Sequence, residues 1–411
     1  MNLYAHQRKI IVENRKKVGL FLGTGSGKTR TALFLAREKT LVICPKTQKE
    51  DGNWERENEV LENAVELTVV SKETFRRDHA KLSKFDTIIV DEAHTCLGVT
   101  PNTRQRNKQI IPRASQLFEA LDDFIKRTNP ERIYLCTATI VRNPMTVFAA
   151  AQILGYKWNF YQFRDTFYQK LPMPGREVYI AKSNSDTKDH LARIVRSIGH
   201  TGQLSDYFDV PKQTYKDVYV ELTAQQKARL KDIALEYPEP IVQIGKRNQI
   251  ENGILSGDEY SKAELFTNEK MLVLEDYMIE FPRMIVFAKY TLQINEIAKL
   301  ATTLKKKVFL LTGETKDRGE LLEEAKKCDE YVFIVSAQIS AGWELADCPV
   351  MVFASRTYSF VDYEQAKGRI LRANSLKKNL YINLIVRDGV DEAVHDCLTN
   401  KKDFNDRIYI T

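Results

Sequence analysis

VGLFLGTGSGKTRTALFLAREK, residues 18–39, decides how the chain is read. A short apolar run ends in the glycine-rich stretch Gly23-Thr24-Gly25-Ser26-Gly27-Lys28-Thr29, and a helical pattern follows it. Strand, glycine turn, Lys-Thr and helix is the order that a phosphate-binding loop requires. Backbone N–H groups and the helix N-terminus converge on an anion, and glycines let the backbone approach it. Lys28 is expected on the β- and γ-phosphates and Thr29 on Mg²⁺, with Gly25, Ser26 and Gly27 in the cradle. ATP and Mg²⁺ are the implied cofactors. One departure stands out: the strict motif wants glycine where Leu22 is found, and Gly23 comes one place later.

Outward from this segment, short apolar runs alternate with longer helical patterns. They lie at 18–22, 40–44, 67–70, 87–90 and 132–136, and again at 284–288, 308–312, 332–336, 350–354 and 380–386. Near-continuous hydrophobicity between helices indicates parallel strands covered on both faces, hence an α/β doubly wound sheet. Two such sets predict two such domains, as expected for a chain of 411 residues. Between them, 172–270 is polar and broken by Pro and Gly, and YKDVYVEL at 215–222 alternates like a strand that opens the second set. The boundary is expected within 205–212, giving lobes 1–207 and 208–411.

The composition, 43% hydrophobic and 28% charged, suits a soluble globular protein. The first residues lack an apolar stretch of signal-peptide length, and no run approaches the ~20 apolar residues of a membrane span. A cytoplasmic protein without a membrane partner is the expectation. The six cysteines are scattered without a C-x-x-C pair, which reads as buried thiols rather than a metal or redox site. A net charge of +7 favours a polyanionic partner.

Asp91-Glu92-Ala93-His94 follows the apolar strand at 87–90. An Asp at the end of a neighbouring strand can hold the Mg²⁺ shell, and the adjacent Glu92 can orient and deprotonate the attacking water. With these motifs in order, the chain resembles a superfamily 2 helicase over nearly its whole length. The resemblance implies two tandem RecA-like lobes with a nucleotide cleft between them. LYAHQ at 3–7 resembles the leading motif, which implies that Gln7 recognises adenine. Thr137-Ala138-Thr139 resembles the hydroxyl motif that couples hydrolysis to motion, and His94 is implied as a further coupling residue.

In the second lobe, TGETKDR at 312–318 and SAQISAGWEL at 336–345 resemble the motifs that contact the strand backbone, which points to Thr315 and Trp343. Gln365, Gly368, Arg369 and Arg372 match the closing Q-x-x-G-R-x-x-R pattern. Gly342 and Gln365 join the nucleotide set. Arg369 and Arg372 are implied arginine fingers, and their spacing on an expected helix would aim both the same way.

Segments 44–57, 68–78, 140–148, 218–226 and 387–404 resemble the Swi/Snf-like branch, whereas QAKGRILR looks more like the branch-migration and repair helicases. The resemblance implies a monomeric motor on duplex or branched DNA, with RNA the lesser expectation because the G-R-x-G-R ending of DEAH-box RNA helicases is absent. A slow nucleotide-gated clamp is the rival from another class. A minimal motor of this kind would suit replication, recombination or repair in a bacterial or phage setting.

For the track itself, LGVTPNTRQRNKQIIPRAS at 97–115 carries Arg104, Arg106, Lys108 and Arg113 and no acid. Cations on such a loop would contact phosphates, which set affinity without reading sequence.

Overall fold

The computed structural model describes residues 3–106, 109–173, 176–209, 213–257, 262–339, 342–346, 348–371 and 378–400. The chain divides into two compact units, Met1–Asp209 and Val210–Thr411.

The first unit is built on strands β1 (Lys17–Leu22), β2 (Lys39–Cys44), β3 (Glu66–Ser71), β4 (Thr87–Val90), β5 (Val99–Arg106), β6 (Gln109–Ala114), β7 (Arg132–Cys136), β8 (Tyr168–Met173), β9 (Arg176–Ala181) and β10 (Gly199–Gly202). Six of them form one parallel sheet in the order β10-β1-β7-β4-β2-β3. The expected strands are all present. Their period-two alternation sends Phe21, Ile43, Val90 and Leu135 to one face and Leu20, Val42, Ile89 and Tyr134 to the other, and each face is sealed by helices. Trp54 is a fully buried member of the second face.

Three strand pairings in this unit were not expected. The edge strand β10 reads Gly-His-Thr-Gly and has no apolar signature, because it is recruited by pairing with β1 alone. The segment read as a basic loop at 97–115 is an antiparallel hairpin, β5–β6, and β8–β9 forms a second hairpin.

The second unit repeats the plan with β11 (Thr214–Val220), β12 (Ile254–Leu255), β13 (Glu264–Leu265), β14 (Arg283–Ala288), β15 (Lys307–Leu311), β16 (Tyr331–Ser336), β17 (Val350–Phe353) and β18 (Leu380–Val386). Its parallel sheet runs β11-β18-β17-β14-β16-β15, again with an apolar cluster on each face. The fold is therefore α/β with two tandem RecA-like parallel sheets. The stretch read as polar and broken holds helices Ser185–Ile198, Ala224–Glu236 and Pro240–Glu251. Their starts carry Asn184 and Thr223 caps and Pro240 at the first position, so the polar residues there are helix punctuation. No described helix is long and apolar enough to cross a membrane.

Candidate nucleotide site and nucleic-acid contacts

β1 ends at Leu22, and the chain turns at once. Gly23 donates its N–H to the Gly202 carbonyl of β10 at 2.8 Å, which anchors the start of the turn. Gly25 and Gly27 then take φ of 78° and 80°, the left-handed region that only glycine enters without penalty. Gly27 caps helix Lys28–Leu35, and a Cβ there would lie 2.5 Å from the Gln7 amide. Leu22 costs the motif nothing, because the turn begins at Gly23. Buried Ser26 donates its hydroxyl to the Gly23 carbonyl at 2.7 Å. Lys28 Nζ donates to the Leu22 and Gly23 carbonyls at 2.8 and 3.1 Å, so the ammonium lies over its own loop. Thr29, in the first turn of that helix, is half-buried.

Gln7 is held against the glycine loop. It is 1% exposed, and its amide donates to the Gly27 carbonyl and the Thr31 hydroxyl at 3.1 and 3.3 Å while accepting from the Tyr4 N–H at 2.9 Å. It braces the glycine loop. His6 does the same from the neighbouring position, with Nε2 2.9 Å from the Ser26 carbonyl and its ring stacked on Tyr207.

In sheet order β7 separates β1 from β4, so Thr137–Thr139 leaves the sheet between the glycine loop and Asp91-Glu92. The carboxyl ends of parallel strands are where such sheets bind ligands. Asp91 is almost fully buried and accepts the Glu92 N–H at 2.9 Å. Burial first, and the Glu92 carboxylate second, push its carboxyl up to about 6, against the pull of Lys72 and Lys28. Glu92 sits at φ 43° and ψ 52°, a left-handed conformation that a side-chain-bearing residue rarely adopts.

His94 Nδ1 lies 2.8 Å from the Thr137 hydroxyl, which in turn accepts the Thr139 N–H at 3.2 Å. Burial, then Lys72 and Arg142, push the imidazole down to about 3. It is therefore uncharged at neutral pH, and its 3.5 Å approach to Glu92 Oε2 is not an ion pair. Among the described residues, two buried oxygens here have no hydrogen-bond partner, Glu92 Oε2 and Thr139 Oγ1. Unmet acceptors among buried polar groups need a ligand or water to satisfy them.

The residues present fit a nucleoside triphosphate with Mg²⁺. The loop offers a glycine cradle at a helix N-terminus, and Thr29 and Asp91 offer the hard oxygen donors that Mg²⁺ prefers. One residue of the site escaped sequence reasoning. Lys72, buried at the start of helix Lys72–Asp78, donates Nζ to the Glu92 carbonyl at 2.9 Å and to the Thr95 hydroxyl at 2.6 Å. In the sequence it is one lysine in SKETFRR, with nothing to separate it from the surface cations beside it.

In the second unit Gly342 takes φ 82°, as its glycine identity allows. Trp343, expected at the strand backbone, is a core residue: it is 4% exposed, packs between Phe287 and Phe333, and donates Nε1 to the Ile339 carbonyl at 2.9 Å. Gln365 and Arg369 are buried. The helix expected to carry both arginines ends at Lys367, so Arg369 stands in the following turn, with one guanidinium nitrogen 3.4 Å from the Trp343 carbonyl. Arg372 lies outside the described residues. Thr315 accepts the Thr312 N–H and donates to the Leu310 carbonyl, both at 3.0 Å, closing the turn after β15.

Arg104 on β5 forms an ion pair with Glu119, an acid supplied by the next helix, so it is not the unopposed cation expected from its own segment. Arg113 on β6 is exposed. Lys108 and the side chain of Arg106 lie outside the described residues.

Residues 269–374 match the helicase conserved C-terminal domain. The match covers about a quarter of the chain and falls within the second unit. No curated protein matches the sequence. Among solved structures, the Sulfolobus solfataricus SWI2/SNF2 ATPase core in complex with dsDNA is similar at 17% identity and a TM-score of 0.40, over 97% of this chain and 91% of that one.

Proposed function

We propose that the chain is an ATP-driven motor that moves along DNA. The observation that carries this reading is the meeting, on one sheet of the first unit, of a glycine loop bearing Lys28 and a buried Asp91-Glu92 turn with an unmet acceptor at Glu92 Oε2. The helicase C-terminal domain at 269–374 gives the second unit its place in the same reading. When bound, ATP·Mg²⁺ would supply the transferable phosphoryl group and the charge that offsets it. Lys28 and the loop N–H groups bind phosphates, Thr29 and Asp91 hold the cation, and Glu92 Oε2 takes the proton of the attacking water.

Arg369 and Arg372 are proposed, on the family resemblance alone, to stabilise the charge developing on phosphate. Residues 1–207 are taken as the ATP-binding lobe and 208–411 as the C-terminal lobe. Arg104, Arg106, Lys108, Arg113 and Thr315 remain the proposed track contacts. ATP hydrolysis measured without nucleic acid, then with duplex DNA, single-stranded DNA and RNA of equal length, tests the proposal. DNA is expected to stimulate most; stimulation by RNA alone would move the track to RNA.

A further inference from the structure

Lys72 stands where a lysine has two reasons not to be. It is 7% exposed, and it occupies the first position of helix Lys72–Asp78, the end whose partial positive charge repels a cation. It follows β3, and the sheet order β4-β2-β3 puts one strand between it and Asp91-Glu92. Its side chain spans that strand's end and donates to the Glu92 carbonyl at 2.9 Å and the Thr95 hydroxyl at 2.6 Å, and Thr95 donates its own hydroxyl back to the Glu92 carbonyl at 3.0 Å. The carbonyl so gripped belongs to a residue at φ 43°, in a conformation that persists only where its surroundings impose it. Glu92 Oε2 in turn is buried and makes no hydrogen bond among the described residues, with His94 Nδ1 at 3.5 Å.

We propose that Lys72 is a positioning residue for hydrolysis: its ammonium clamps the Glu92 peptide in the left-handed turn and so aims the Glu92 carboxylate. This rests on the ATPase reading above, and it concerns placement alone, with no proton moved by Lys72. A clamp of this kind affects turnover and leaves nucleotide binding to Lys28 and the glycine loop.

The test compares wild type with Lys72→Met and Lys72→Arg. Lys72→Met is expected to lower kcat on the order of 10²-fold, the scale of a misplaced catalytic group, with the affinity for a fluorescent ATP analogue within about 3-fold. Lys72→Arg, which keeps a buried cation with donors, is expected to recover most of the loss. Hydrogen exchange without nucleotide should show the Thr95 and Cys96 amides, which close this turn on the Glu92 and Ala93 carbonyls, exchanging faster in Lys72→Met on the order of tenfold.

A folded Lys72→Met protein with near-normal kcat overturns the proposal, as does an equal loss of kcat and nucleotide affinity. Should Lys72→Met fail to fold, Thr95→Val removes one acceptor and carries the test: a several-fold fall in kcat at unchanged affinity supports the clamp, and no fall removes it. A wild type that binds nucleotide without hydrolysing it overturns the ATPase reading instead, and the exchange measurement still decides whether Lys72 holds the turn.

Discussion

Both units gather buried charge beyond the carboxyl ends of their parallel strands, but they treat it in opposite ways. In the first unit Lys72, Asp91, Glu92 and His94 lie together at the strand ends, and among the described residues two oxygens there, Glu92 Oε2 and Thr139 Oγ1, make no hydrogen bond. In the second, Lys270 Nζ meets Asn252 Oδ1, the Ala354 carbonyl and Asp391 Oδ2 at 2.7, 2.8 and 2.8 Å. Glu251 accepts the Val390 and Asp391 N–H groups at the start of helix Val390–Thr399, and Arg356 reaches the Asp391 carbonyl and His395. Only Arg356 Nε is left over in that cluster among the described residues. The second cluster is nearly closed by its own partners; the first keeps two oxygens open among the described residues, as the proposed nucleotide site would.

The largest effect expected from that contrast is on turnover. Lys28→Ala should lower ATP hydrolysis by at least a factor on the order of 10², the scale set by removing a preorganised donor to developing charge, while the melting temperature holds. Glu92→Gln should cost a comparable factor in kcat with nucleotide affinity within a few-fold, since the amide keeps the size and loses the base. A parallel loss of binding would make Glu92 a structural residue and erase the distinction from the second unit.

Stability should respond the other way round. Lys270→Met removes the 2.8 Å partner of the buried Asp391 carboxylate, leaving it the Arg356 guanidinium at 3.8 Å, and should cost about 3 kcal/mol in denaturant unfolding. A Lys270→Met protein of normal stability and reduced kcat would place chemistry in the second cluster.

The smallest effect sharpens the role of Gln7. As a brace on Gly27 and Thr31, Gln7→Ala should weaken ATP and GTP binding alike, by the several-fold that a lost buried hydrogen bond of about 1 kcal/mol predicts. A loss confined to ATP would support adenine recognition by Gln7.

The same contrast explains what the sequence made legible. The apolar strands could be read because parallel strands covered on both faces must be hydrophobic almost throughout, and the glycine turn and the Asp91-Glu92 turn could be placed because each directly follows such a strand. The hairpin at 99–114 could not, since TPNTRQR pairs through its backbone and carries no apolar alternation. Nor could the partner of Arg104, because Glu119 comes from the next helix, or the role of Lys72, which depends on strand order rather than on neighbours in the chain. Trp343 misled for the converse reason: its motif neighbours suggested contact with the track, while its ring fills the gap between Phe287 and Phe333.

The open cluster of the first unit is proposed to hydrolyse ATP in response to DNA. The most direct test is steady-state phosphate release by the full chain with Mg²⁺ and ATP, with and without saturating duplex DNA, for wild type beside Glu92→Gln. Hydrolysis that rises with DNA and disappears in Glu92→Gln is the predicted result. Hydrolysis indifferent to DNA, or undiminished in a folded Glu92→Gln protein, would contradict it.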